Sequence, residues 1–494
     1  MKRLAPFVLL VALLLIVTGL ALRKHDPAAP YTDNREAWQA YEAGDLAWQA
    51  FHFDDALKKL KTAVALDPGL APAHATLGVL YTQLGHAEPM RRHVAIAESL
   101  ADGIADQRAR LLLLVRLAPL EASRYHAVRD SLLDLAKTVA PDELSVLISL
   151  AQRAGNANDP ATAEAIWNKI LEINPNYANA HNYLGYLYLA QGRYAEAEAA
   201  MRRYAFVAPD LANPHDSLGE VLITIGRYEE AERELTECLK KQEDFPYPHL
   251  NLVHIYLARG EVSKARNLFD QLVLTLAGTT LENDFELQYL NWLFGHRLTD
   301  LHEVHAKRYL ARVSDSKRSA FIRLQLRLGR GETAAAVALL DSLQEDLSTR
   351  PLFPAPPAAN LQFQISLLQY RALAAEQIGL HEAAVELLQQ ALELGKDLPP
   401  HYTLANRVHL AYNLVPLAAY DQARYQIRET LQINPRLAEA ILVAAGVEAS
   451  AGQIPEARRL LDTLERVLER ADRDFPALLD AQRLREQLPD PDHI

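Results

Sequence analysis

A single cysteine, Cys238, occurs in 494 residues, so no internal disulfide can close and no cysteine pair exists for a zinc ribbon or a thioredoxin-like motif. No cysteine follows the N-terminal apolar stretch, which excludes a lipoprotein anchor. A basic excess is also lacking. Lys and Arg total 51 against 63 Asp and Glu, a formal charge of −12, and an acidic balance argues against a chain that coats nucleic acid. The catalytic signatures G-x-x-x-x-G-K-[ST], G-x-S-x-G and H-E-x-x-H are missing; Gly395-Lys396 lacks both the upstream Gly and the downstream hydroxyl. No segment of the body reads as a strand, because apolar residues recur at helical spacing almost throughout. What remains is 50% hydrophobic and 23% charged, enough apolar mass for a core and incompatible with wholesale disorder.

Lys2 and Arg3 precede an uncharged run from Leu4 to Leu22, which as a helix spans about 28 Å, close to the bilayer core. A cleaved signal peptide has a shorter apolar region, so residues 1–24 read as an uncleaved transmembrane anchor and 25–36 as a linker. Lys2, Arg3 and the terminal amine outweigh Arg23 and Lys24 by one charge, which places the body outside the inner membrane; a cytoplasmic body is the alternative.

Self-comparison of the body is the informative step. Gly44 and Gly78 lie 34 residues apart, as do Gly185 and Gly219. Leu184-Gly185-x-x-Tyr188 is followed by Gly192, Tyr194, Ala197, Met201 and Pro209; Leu218-Gly219-x-x-Leu222 by Gly226, Tyr228, Ala231 and Leu235. Small residues at fixed offsets let paired helices approach, Gly turns the chain between them, and Pro stops the second helix.

On these residues the chain resembles the tetratricopeptide repeat superfamily, and its N-terminus suggests a membrane-anchored bacterial member. The resemblance implies an all-α fold: a right-handed superhelical solenoid of helix hairpins, preceded by one transmembrane helix. A repeat block is expected over 37–279, with irregular helices at 103–145. Degenerate helical repeats follow at 280–350, a Pro-rich linker at 351–360, and a second block with a capping helix at 361–488.

In this family unit positions 2, 5, 9, 12 and 13 line the concave face. Transferred here they are Asn179, Asn182, Tyr186, Asn213, Asp216, Glu220, Tyr247 and His254, while the first unit adds Trp38, Tyr41, Asp45 and Trp48. Trp38 and Trp48 read either as binding surface or as a cover for the first repeat's apolar end. Members that clamp a chaperone's terminal carboxylate use Lys, Arg and Asn at such positions. Asp216 and Glu220 would repel one, so a neutral or basic segment of another protein is the expected guest.

The expected role is therefore a membrane-anchored scaffold, an accessory subunit of a membrane complex, without enzymatic activity, cofactor, metal or small-molecule substrate. A transient envelope-assembly factor is the second reading, and an enzyme of unrecognised type the third. His302 and His305 read as a solvated helical pair, Cys238 and Trp167 as core, and Asp54-Asp55 and Glu229-Glu230 as solvated faces.

Overall fold

The computed structural model describes residues 28, 30–49, 52–313, 316–349 and 357–489. The expected anchor, residues 25–27 and 29 of its linker, and residues 351–356 of the Pro-rich stretch lie outside these residues. Among the described residues there are 25 α-helices, two short 3-10 helices and no strand, and no helix is long and apolar enough to cross a membrane.

Two compact units emerge. The first runs to Leu187 and includes Ala199–Pro214; the second comprises Tyr188–Glu198 and everything from His215 onward. Both the segment 280–349 and the helices from Pro357 onward belong to the second unit.

Each unit is built from antiparallel helix pairs. Second helices of a pair carry one apolar stripe: Tyr228–Lys241 buries Tyr228, Ala231, Leu235 and Cys238, leaving its Glu and Lys residues outward. Some first helices, such as Pro246–Ala258 with Leu250, Leu252, Val253, Ile255 and Tyr256, are buried nearly all round. They are sandwiched between neighbours, so their sequence lacks a polar face.

The turn inside each pair repeats with little variation. Seven of these turns place a left-handed Gly after the first helix: Gly85, Gly192, Gly226, Gly260, Gly331, Gly379 and Gly452. The next residue donates its N–H to a carbonyl five residues back, as in Arg227 N to Leu222 O at 2.8 Å and Gln453 N to Glu448 O at 2.8 Å. That bond satisfies a carbonyl the helix end would otherwise leave bare.

Asn158, Arg297 and Ala418 adopt the same left-handed conformation, at φ 55°, 58° and 55°. Leu298 N reaches Leu293 O at 2.9 Å and Ala419 N reaches Leu414 O at 3.1 Å, closing the same turn. The pairs Thr280–Gly295 with Thr299–Arg312 and Ser316–Gly329 with Thr333–Thr349 thus continue the hairpin series through 280–349, where the sequence signature fades. Arg297 stands where the pattern calls for Gly. Ala418 is exposed and displaces nothing, so Ala418→Gly is expected to raise stability by a few tenths to about 1 kcal/mol. The check is a higher urea midpoint at an unchanged m-value.

The second unit curls until its later hairpins meet its earlier turns. A Cβ on Gly192 would come within 2.9 Å of Pro400. Asn434 Nδ2 donates to Tyr228 OH at 3.0 Å, 206 residues away, and Arg436 pairs with Glu229. Asp472 N donates to Gly260 O at 2.9 Å, and Asp472 Oδ2 accepts from Ser263 N at 2.7 Å. His296 and Glu439 approach to 2.6 Å, and Arg297 meets Asp480 at 2.5 Å. The terminal helix Pro476–Gln487 was expected only to cap the last hairpin. Phe475, immediately before it, is 1% exposed and packs on Gly260, so this segment also joins the closure.

Candidate interaction surface

In the first unit the expected groove aromatics are inside. Trp38 and Tyr41 are each 8% exposed; Trp38 stacks on Tyr31 at 6.0 Å and meets the Tyr41 ring at 5.0 Å. This corrects the reading of both as partner-binding surface: the first hairpin needs them as core. Trp48 is half-buried and donates its indole N–H to Gln83 at 2.7 Å. Asp45 accepts from Arg116 Nη1 at 2.6 Å, and the same nitrogen donates to Thr76 at 2.5 Å and Tyr41 at 3.0 Å. Asn179 and Asn182 are half-buried, and the Asn182 Oδ1 is buried without a partner. Tyr186 is 38% exposed, and Asn213 is exposed while accepting from Tyr204 OH at 3.0 Å.

In the second unit Asp216 is 4% exposed and accepts from Asn251 Nδ2 at 3.1 Å. It cannot repel a guest from an open groove, which corrects the electrostatic role expected of it. Burial, helped by the Glu220 charge and opposed by the Asn251 bond, raises its pKa from 3.8 to about 7. A folded-state pKa above the unfolded one means that its contribution is fully present below pH 3.8 and lost as pH rises through about 7. Asp216→Asn is therefore expected to stabilise the chain by about 1–2 kcal/mol at pH 8, with the gain vanishing by pH 4. Urea denaturation of both forms at pH 4, 6 and 8 measures it.

His254 is half-buried and stacked on Trp292 at 4.5 Å, and burial lowers its pKa to about 4. Glu220 is half-buried, whereas Tyr247 is 43% exposed beside Phe245 and Phe285.

A shared cause lies behind these placements. First-helix polar residues bond to their counterparts one hairpin on: Asn251 to Asp216, Arg318 to Asp284 at 2.8 Å, Gln325 to Asn291 at 2.8 Å, Asn413 to Glu376 at 2.8 Å. The repeat offset that aims a side chain inward also sets it beside its equivalent, and the two satisfy each other.

Histidines at another first-helix position serve the fold itself. His181 and His249 donate through Nε2 to the carbonyl six residues back, Pro175 O and Glu243 O, both at 3.0 Å, and His74 does so to Pro68 O at 3.2 Å. These bonds staple the loop before a first helix. The signal was present, since His181, His215 and His249 are spaced by 34. His302 and His305 are buried rather than solvated, at 3% and 4% exposure. His302 bonds Gln325 at 2.9 Å while His305 lies 4.0 Å from Asp270, so the two rings serve different neighbours. Burial pushes His305 down to about 4. Among the described residues no three metal-ligating groups converge. Cys238 is fully buried and its thiol is pushed up to about 12, chiefly by burial, as expected of a core thiol. Trp167 is likewise core, 3% exposed and stacked on Tyr183 at 4.6 Å. Glu229 and Glu230 do not form a purely solvated face: Glu229 holds Arg436 across the closure and Glu230 holds Arg227.

The chain carries tetratricopeptide repeats. Residues 166–199 and 222–280 match the tetratricopeptide repeat family. Over 92 residues the chain is 34% identical to a TPR repeat-containing thioredoxin, TTL4, of Arabidopsis thaliana; the match spans 19% of this chain and 13% of that protein's length. Among solved structures, the APC/C hetero-tetramer Cut9-Hcn1 aligns over 91% of this chain and 84% of its own, at 15% identity and TM-score 0.39. Yeast Tom70 aligns over 92% and 97%, at 13% identity and TM-score 0.39. A mutant O-GlcNAc transferase of Thermobaculum terrenum aligns over 27% and 25%, at 27% identity and TM-score 0.25. None of these resembles the chain closely enough in backbone to lend it a role.

Proposed function

We propose that this chain is a membrane-anchored interaction scaffold, an accessory subunit whose helical body holds a neutral or basic segment of another protein outside the inner membrane. Support comes from three sides. Tetratricopeptide repeats are protein-interaction modules, and two stretches of this chain match them. The Leu4–Leu22 run behind Lys2 and Arg3 has the length and flanking charge of an anchor. The observation that carries the reading is Tyr247. On a first helix otherwise buried nearly all round, its ring remains 43% exposed next to the acidic Glu220 hairpin. An exposed aromatic ring suits a cationic or amide-rich guest.

Affinity purification from detergent-solubilised membranes tests the proposal. Partner proteins are expected at fixed stoichiometry, and Tyr247→Ala combined with Glu220→Lys should release them while circular dichroism stays helical. Asp216 is left unchanged, because a charge swap there would disturb the fold. Substoichiometric recovery would favour a transient assembly factor; unchanged recovery by the double variant would remove Tyr247 and Glu220 from the binding surface.

A further inference from the structure

A cleft of about 270 Å³ opens among the helices His381–Leu394, Leu404–Leu414 and Tyr420–Ile433 of the second unit. The turns at Gly379 and Ala418 are 39 residues apart rather than 34, and the additional residues lengthen the Gly395–Thr403 connection beside it. Leu410 and Leu414 form an apolar floor, and Gln389 and Gln422 stand at the rim. Half-buried in the wall is Arg407, whose Nη1 donates to Gln426 Oε1 at 2.8 Å.

Arg407 occupies a repeat position with a recognisable habit. Elsewhere that position faces a partner 19 residues on: His74 meets His93 at 2.9 Å, and His215 meets Glu234 at 2.8 Å. Gln426 holds the corresponding place opposite Arg407, but an amide cannot neutralise a guanidinium. Among the described residues no carboxylate lies within ion-pair distance of Arg407. Glu393, the acid that also borders the cleft, is turned to Lys396 at 2.5 Å. A guanidinium presents five donors in a planar fork, and one Gln oxygen leaves most of them facing the cleft.

We infer that this cleft binds a carboxylate on a short aliphatic stem, the acid held by Arg407 and the rim amides and the stem lying on Leu410 and Leu414. That chemistry is shared by a Glu side chain of a partner protein and by a free short-chain acid. The site is independent of the Tyr247 surface, so either stands if the other fails.

The test uses the full chain and ligand-observed saturation-transfer NMR with three probes: pentanoate, pentanamide, and the capped tripeptide acetyl-Gly-Glu-Gly amide. At least one carboxylate probe is expected to bind with a Kd on the order of 1 mM, the strength a handful of heavy atoms can supply. Pentanamide should not bind. Arg407→Gln should weaken binding about tenfold or more with an unchanged urea midpoint, and Arg407→Lys should retain part of it, since it keeps the charge and loses the fork. Tighter binding of the tripeptide identifies a protein side chain as the source; tighter binding of pentanoate identifies a free acid. Equal binding of pentanoate and pentanamide, undiminished binding to Arg407→Gln, or no binding of either carboxylate overturns the inference.

Discussion

Replacing Arg259 by alanine is expected to cost about 3–5 kcal/mol, the range for stripping a buried charge from its partners. Arg259 is among the largest fully buried side chains, 1% exposed, at the end of the helix Pro246–Ala258. Its Nη1 donates to Glu232 at 2.6 Å and to Glu261 at 3.3 Å, and Glu229 lies 3.7 Å from its Nε. Burial alone would push the Glu232 carboxyl up, yet the Arg259 bond and charge hold it below the ordinary 4.5. Without the guanidinium only Lys264 and the Tyr256 hydroxyl still oppose the burial effect, and three carboxylates crowd one another. In the intact chain Glu232 contributes stability that is present above pH 4.5 and lost as pH falls through its lowered folded-state value. The variant should lose that acid-side slope as well as stability at pH 7. Urea denaturation at pH 7 and pH 4 reads both, and a variant with the parent's midpoint would show that the network is dispensable. Arg259→Met is expected to cost less near pH 4, where protonated glutamates no longer need a cation.

Gly226→Ala is expected to destabilise the chain by about 3 kcal/mol, whereas Gly452→Ala should cost only about 1 kcal/mol. Both glycines are left-handed, at φ +75° and +76°, so the backbone strain of an added Cβ is common to the two. Their surroundings differ. Around Gly452 there is open space, while a Cβ on Gly226 would overlap the side-chain oxygen of Asn434. Asn434 is 6% exposed and bonded to Tyr228 OH at 3.0 Å, so it cannot step aside without leaving buried polar atoms unpaired. Limited proteolysis adds a second readout: cleavage near 434–436 should accelerate in Gly226→Ala and not in Gly452→Ala. Equal costs for the two variants would mean that the closure contributes little.

Hairpins, their turns and their cores were legible wherever chemistry and geometry coincide within a few residues. Gly192, Gly226, Gly260, Gly379 and Gly452 mark left-handed turns because only Gly enters that region without a Cβ clash. The turns at Arg297 and Ala418 carry no such mark, because residues with side chains occupy the same left-handed region there. The candidate surface was less legible. Family offsets say which way a first-helix side chain points, but not that Asp216 will find Asn251, that His254 will lie on Trp292, or that Trp38 will be enclosed by Tyr31 and Tyr41. Each outcome depends on a neighbour outside the repeat unit that supplies the offset.

Period, helix class and the small residues at Gly185, Gly219 and Ala231 follow from local sterics and amphipathic spacing, which act over one or two hairpins and are written in the order of residues. Whether the second unit closes on itself is a different matter. Contacts such as Arg436 with Glu229, 207 residues apart, require the small rotation added by each hairpin to sum to a full return. An error of a few degrees per hairpin would move those partners beyond reach. That sum is a property of all the packed interfaces together, so it exists only in the assembled tertiary structure.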